Sequence, residues 1–459
     1  MPTDLVPGLL ARATEALEAE FASLPAFDAA PSAGLDPEAM ARVLEATAHR
    51  LGNNYPYFHP LYAGQMLKPP HPVARAAYAL AMRINPNNHA RDGGRASSEM
   101  EIEAVKEIAR MFGWGEPFLG HLTSSGTIAN LEALWVAGQT EPGKRIVGSE
   151  QAHYTHSRIS GVLKLEFSAI AADGRGRMSL EALETELRKG DVGTVVVTLG
   201  TTAIGAVDPL DEIAALRARY GFRIHVDAAY GGYFRLIPEA LEEPARRAFA
   251  AMEQADSIVV DPHKHGLQPY GCGCVLFRDP AVGRFYKHDS PYTYFTSKEL
   301  HLGEISLECS RAGAAAVALW ATQQLLPLTS GGEFARGLAQ GRAAALELDR
   351  RLRRDERFSA LAAGKPELDI VVWKVNAETA ERASERAQET FVSCAVSNLH
   401  LALVQLPLFW FDSSDGLVPS TTGESCTCLR SVLMKPEHEA WLDKIWEKLT
   451  LACTAVVGE

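Results

Sequence analysis

The chain has little of what a nucleic-acid binder, a secreted scaffold or a membrane protein requires. Its 45 Lys and Arg residues are outnumbered by 57 Asp and Glu, giving a formal charge of -12 with no long run of one sign. Phosphate backbones attract basic patches, so nucleic acid is not an expected partner. Cysteine is sparse and odd in number. The seven residues Cys272, Cys274, Cys309, Cys394, Cys426, Cys428 and Cys453 form no disulfide framework and fit a reducing cytoplasm. Two of their pairs are C-x-C, which strand alternation explains without the repeated C-x-x-C of zinc ribbons, so no metal is expected. The longest apolar stretch, Leu399 to Phe411, falls short of the ~20 residues of a membrane helix and is interrupted by Gln405 and Pro407. It reads as a buried strand, and no membrane partner is expected. The first residues lack the basic-then-apolar order of an export signal.

What is present is a soluble, globular composition, 47% hydrophobic and 22% charged, over 459 residues. That is too long for one ordinary core. Residues 1–72 carry short helical patterns separated by Pro25, Pro31 and Pro37, then an aromatic, proline-rich run with Tyr55, Tyr57, Phe58 and Tyr62. Such a segment cannot fold alone and reads as an arm laid over the main body or a second subunit. Residues 73–320 alternate helices with short apolar strands, the pattern of an α/β domain with a mostly parallel sheet. Its clearest strands are Val192 to Gly200, Arg223 to Asp227, Ser257 to Asp261 and Cys272 to Phe277, with a helix from Leu210 to Tyr220 closed by Gly221. Residues 321–459 read as a smaller α+β domain with a strand from Ile370 to Val375.

Three stretches carry chemistry. In SIVVDPHKHG, Ser257 to Gly266, an apolar strand runs into Lys264. The carboxyl ends of strands form the ligand crevice of open α/β sheets, where a lysine amine can form a Schiff base with a carbonyl. Taken alone, Lys264 reads first as a solvated loop lysine. In RIHVDAAYGGYFR, Asp227 ends another buried strand and needs a cationic partner, either a nearby Arg or a protonated ring nitrogen. In GHLTSSGTIANLEAL, Ser125, Gly126 and Thr127 precede an apolar helix. They suit a phosphate at a helix N-terminus, or serve as a simple cap.

A phosphate cradle, then a strand-end acid, then a strand-end lysine, in that order, resembles the group II pyridoxal-phosphate decarboxylases. This family includes the aromatic-amino-acid, tyrosine, aspartate and glutamate decarboxylases, with the aspartate-aminotransferase-like (fold type I) architecture. The resemblance runs through Tyr55 to Trp320. It implies pyridoxal 5'-phosphate as cofactor, Lys264 as its lysine preceded by His263, and Asp227 as the acid on the ring nitrogen. It also implies Ala229 against one ring face, His153 stacked on the other and able to move protons, and Thr202 beside the cofactor. Asp261 stands where aromatic-amino-acid members have Asn, which alters a hydrogen bond there. His156 reads as a bystander.

The same resemblance implies an amino acid decarboxylase, usually a homodimer, in which a loop tyrosine protonates Cα. Tyr292 and Tyr294 are both candidates for that donor, and both read equally as packing residues. Arg311 either serves the site or orders the loop. Tyr57, Phe58, Tyr292, Tyr294 and Phe295 lean the substrate towards an aromatic amino acid such as tyrosine. An acidic substrate would ask for a further cation such as Lys298 or Arg311. Aldehyde-forming oxidative decarboxylation, carbon–carbon lysis, amino transfer and non-catalytic cofactor binding on the same scaffold remain open from the residues alone.

Overall fold

The chain's computed structural model describes residues 6–27, 36–89, 91–287, 305–411 and 425–458. Two sheets organise it. The first contains β1 (Leu119–Thr123), β2 (Arg145–Ser149), β3 (Phe167–Ile170), β4 (Val192–Thr198), β5 (Arg223–Asp227), β6 (Ser257–Val260) and β7 (Gly273–Phe277). Their order across the sheet is β1-β7-β6-β5-β4-β2-β3. The pairs from β6 to β3 are parallel, while β7 is antiparallel to both its neighbours. Strands such as β4 are buried at every position, as a sheet covered by helices on both faces demands, and this is why they read as unbroken apolar runs. The α/β expectation for this part therefore agrees with the observed sheet.

The strand order places the crevice. After β2 the chain moves outward to β3, then returns to the other side of β2 as β4 and proceeds through β5 to β6. The direction of winding reverses between β2 and β4, and loops leaving the carboxyl ends there part and open a hollow. In register, Asp227 lies level with Thr198 on one side and Val259 on the other. The helix Gly126–Thr140 is apolar nearly all round and contributes Ala129, Ala133 and Ala137 to the interior. Such small side chains let it lie close to the sheet. The helix Leu210–Tyr220 ends at Gly221, whose φ of 67° supplies the left-handed turn.

The second sheet is antiparallel: β8 (Phe358–Ala360), β9 (Ile370–Val375), β10 (Ala402–Pro407) and β11 (Ser425–Val432), ordered β10-β11-β9-β8. Trp373, Leu348, Leu442 and Leu449 join it to the helices Glu333–Leu352 and His438–Val457. The expectation of a buried strand over Leu399 to Phe411 needs correction. β10 pairs with β11 alone and alternates in burial, with Leu403 37% exposed, because it lies at the sheet's edge.

Within the first 72 residues, Leu61, Tyr62 and Ala63 are buried, and Ala63 exchanges backbone hydrogen bonds with His400 and Val432 of the second sheet. Tyr57 packs edge-on against Tyr62, ring centres 4.9 Å apart. The helices Val6–Glu20 and Pro37–Leu51, by contrast, bury no residue. Among the described residues no helix is long and apolar enough to cross a membrane.

Candidate active site

At the switch in strand winding is a cavity of about 200 Å³. Its lining includes Ser125, Gly126, Thr127, His153, Thr202, Asp227, Ala229, Asp261, His263 and Lys264. These residues come from five separate segments spread over 140 positions, and the strand ends gather them. Three other hollows are larger, about 290, 480 and 620 Å³, yet none is lined by any of these residues. Chemistry rather than size therefore selects the site.

Ser125 caps the helix Gly126–Thr140, its Oγ accepting from the Ile128 N–H at 3.3 Å. The cap and a phosphate cradle are thus not exclusive readings of that serine. At Gly126 a Cβ would fall 2.5 Å from Oδ1 of Asp261, so only glycine lets the helix start close against that carboxylate. Asp261 is 3% exposed, and its Oδ2 lies 3.1 Å from the Lys264 Nζ. This ion pair is what the aspartate provides in place of the family's asparagine. Oδ1 of Asp261 and Oγ1 of Thr198 are buried without a hydrogen-bond partner, and both residues face the cavity. Orphaned polar atoms of this kind ask for a polar ligand.

His263 donates from Nδ1 to the Cys272 carbonyl at 2.7 Å. His153 lies on the loop after β2, its Nδ1 2.8 Å from Oγ1 of Thr155. Burial lowers the pKa of both rings, which favours the neutral form at physiological pH. Asp227 is 5% exposed. Burial alone would raise it, but the His156 hydrogen bond, the charge of Lys264 and the Ala229 N–H outweigh this and hold its carboxyl well below the usual carboxylate range.

The reading of His156 as a bystander is overturned: its Nε2 lies 2.7 Å from Oδ2 of Asp227. Sequence reasoning also passed over Asn130, whose Nδ2 is 3.4 Å from the same oxygen, and His225, whose Nε2 is 2.8 Å from Oδ1 of Asn130. The local link between the two histidines is a backbone one: His153 lies before the helix Thr155–Leu163, and the His156 N–H in its first turn bonds the His153 carbonyl at 3.0 Å.

Arg311 does not line the cavity. Its guanidinium bonds Oε1 of Glu101 at 2.6 Å and the Leu122 carbonyl at 2.8 Å, so it ties the chain beyond residue 305 to the helix Arg95–Met111 and to β1. Tyr57 and Phe58 do not line the cavity either. Tyr292, Tyr294, Phe295 and Lys298 lie outside the described residues.

Comparison with known proteins places this geometry. Residues 55–376 match the pyridoxal-dependent decarboxylase conserved domain. An L-tyrosine decarboxylase of Enterococcus faecium is 28% identical over 389 residues, covering 63% of this chain and 64% of that protein. An L-2,4-diaminobutyrate decarboxylase of Rhizobium meliloti is 37% identical over 226 residues, 46% of this chain and 44% of that protein. The chain thus spans less than two thirds of the length of these two curated relatives. Among solved structures, Oryza sativa TDC with PLP and tryptamine superposes with a TM-score of 0.77 at 19% identity, over 99% of both chains. That likeness establishes the fold.

Proposed function

Because the chain belongs to the pyridoxal-dependent decarboxylase family, we propose that it releases the α-carboxylate of an L-amino acid as carbon dioxide, with Lys264 holding pyridoxal 5'-phosphate. The residues present fit that cofactor. The observation carrying the proposal is that one cavity combines a lysine amine, a buried carboxylate held ionised, a helix N-terminus with hydroxyl side chains and orphaned polar atoms. Ser125, Gly126 and Thr127 would take the phosphate, where the helix dipole and backbone N–H groups favour an anion. Bound pyridoxal phosphate supplies the electron sink that lets the carboxylate leave.

The chain's own residues do the remaining work. Asp227, kept charged, would hold a proton at the pyridine nitrogen. His153, neutral at the cavity wall, would cover a ring face and be free to relay a proton. Asp261 keeps the Lys264 amine oriented through their 3.1 Å contact. Ala229 would leave room for the ring, and Thr202 would flank it. Tyr292 or Tyr294 would deliver the proton to Cα.

Tyrosine or another aromatic amino acid is the substrate we favour, as the name of the Enterococcus relative suggests. Among the described residues, Lys264 is the only Lys or Arg lining the cavity. An acidic side chain would lack a second cation there. The working unit is a homodimer, supported by the helix Pro37–Leu51, where Met40, Val43, Leu44 and Leu51 form one apolar stripe that nothing among the described residues covers. All seven cysteines are free thiols, which supports a cytoplasmic setting.

Release of carbon dioxide from each standard amino acid by the purified protein, with products identified, tests the reading. Carbon dioxide and the matching amine from tyrosine are expected. Glutamate or aspartate as the preferred substrate would replace the aromatic assignment. Aldehyde with peroxide, or transfer dependent on a keto acid, would replace simple decarboxylation. Lys264→Ala is expected to abolish steady-state turnover while retaining weak cofactor binding, and a turning-over variant would overturn the role of Lys264.

A further inference from the structure

We propose that His156 is a positioning residue that fixes Asp227 as an ionised, oriented partner for the cofactor's ring nitrogen, an inference that rests on the cofactor reading above. The pair is closed off from water: the two side chains are 1% and 6% exposed, with Nε2 of His156 2.7 Å from Oδ2 of Asp227. Nδ1 of His156 is buried and has no hydrogen-bond partner among the described residues. Among the described residues the carboxylate is the sole acceptor that either ring nitrogen meets. The proton therefore belongs on Nε2, facing Asp227.

A second arm reaches the same oxygen with a fixed polarity. Ser257 Oγ lies 2.9 Å from Nδ1 of His225, Nε2 of His225 lies 2.8 Å from Oδ1 of Asn130, and Nδ2 of Asn130 lies 3.4 Å from Oδ2 of Asp227. Burial pushes the His225 pKa down to about 3, so that ring is neutral and has one proton to give. Asn130 can offer Asp227 only its amide N–H while its carbonyl accepts from Nε2 of His225, which leaves Nδ1 of His225 to accept from the serine hydroxyl. Oδ1 of Asp227 accepts from the Ala229 N–H at 3.1 Å. Every group around the carboxylate is thus a donor. A protonated Asp227 would set its hydrogen against one of them, so the network selects the anion. His156 makes the shortest of these contacts and is the one ionisable group among the direct donors.

The test uses the holoenzyme loaded with pyridoxal phosphate labelled with nitrogen-15 in the ring. The wild type is expected to show the ring-nitrogen resonance of a pyridinium. His156→Val is expected to move it towards the unprotonated position, and His156→Gln, which keeps a donor, to leave it near the wild-type value. Affinity of the apoprotein for pyridoxal phosphate should fall about tenfold in the valine variant, the low end of what removing an orienting partner costs at other bound groups. A resonance unchanged in His156→Val, or displaced equally in both variants, would overturn the inference while leaving the cofactor assignment intact. A wild-type protein that takes up no labelled cofactor would sink the assignment itself. Should His156→Val fail to fold, His156→Leu carries the same expectation with a larger apolar side chain.

Discussion

The crevice and the two helices at the start of the chain meet water in opposite ways. In the crevice, charged groups are drawn out of solvent and paired within the chain: Asp227 with His156, Asp261 with Lys264, and Glu101 with Arg311 just beyond it. In Val6–Glu20 and Pro37–Leu51 no residue is buried, and on the second Met40, Val43, Leu44 and Leu51 stand exposed. A region whose charges are paired internally can be interpreted from one chain, and the polar atoms it leaves unpaired, Oδ1 of Asp261 and Oγ1 of Thr198, mark where a ligand belongs. A helix that buries nothing has too little to hold it in place, so its structure points to a surface that the single chain does not contain.

The comparison can be broken at either end. The largest effect is expected at Arg311. Removing one member of a buried ion pair leaves the other charge uncompensated, so Arg311→Ala should cost about 3–5 kcal/mol of stability in urea unfolding. The Michaelis constant of the folded fraction should stay near wild type, because Arg311 lies off the cavity. A variant of normal stability with an altered Michaelis constant would return Arg311 to the site. Next in size is the open helix. Val43→Asp with Leu44→Asp, on residues 63% and 66% exposed, should weaken self-association by about 1–3 kcal/mol, roughly 5- to 150-fold in dissociation constant. Sedimentation should then show monomer at concentrations where the wild type is dimer. A wild-type monomer, or an unmoved dimer, would remove the argument for the second subunit.

The smallest effect per step of the measurement is a slope. Burial holds His225 neutral down to about pH 3, whereas in the unfolded chain it gains a proton near pH 6.5. Its folded pKa is depressed, so the unfolded state binds more protons between these values. The stability is therefore present above about pH 6.5 and is lost as pH falls towards 3, at up to about 1.4 kcal/mol per pH unit. His225→Gln should flatten that part of the unfolding free energy against pH. An unchanged slope would mean that another group carries it.

Much of the first sheet was legible because buried parallel strands are runs of β-branched residues, as at Val192–Thr198 and Ser257–Val260. The strands Leu119–Thr123, Arg145–Ser149 and Phe167–Ile170 were passed over. They contain glycine, histidine, arginine or serine in place of such runs, and only pairing with their neighbours makes them strands. The same division separates the site residues. Ser125, Asp227 and Lys264 stand at the ends of periodic elements, where a change of pattern marks them. His156 meets Asp227 across 71 positions, and no periodicity in the sequence encodes that distance. The edge exposure of β10 was likewise invisible, since an apolar run does not say how many neighbours it will pair with.

The central claim is that the amine of Lys264 is the point of cofactor attachment. Borohydride treatment of the protein saturated with pyridoxal phosphate, followed by peptide mass mapping, tests it directly. The account predicts the reduced cofactor on the peptide carrying Lys264 in near-stoichiometric yield, and none on that peptide after Lys264→Ala. Label confined to other lysines, for instance Lys68 or Lys435 in the larger hollow, would contradict it.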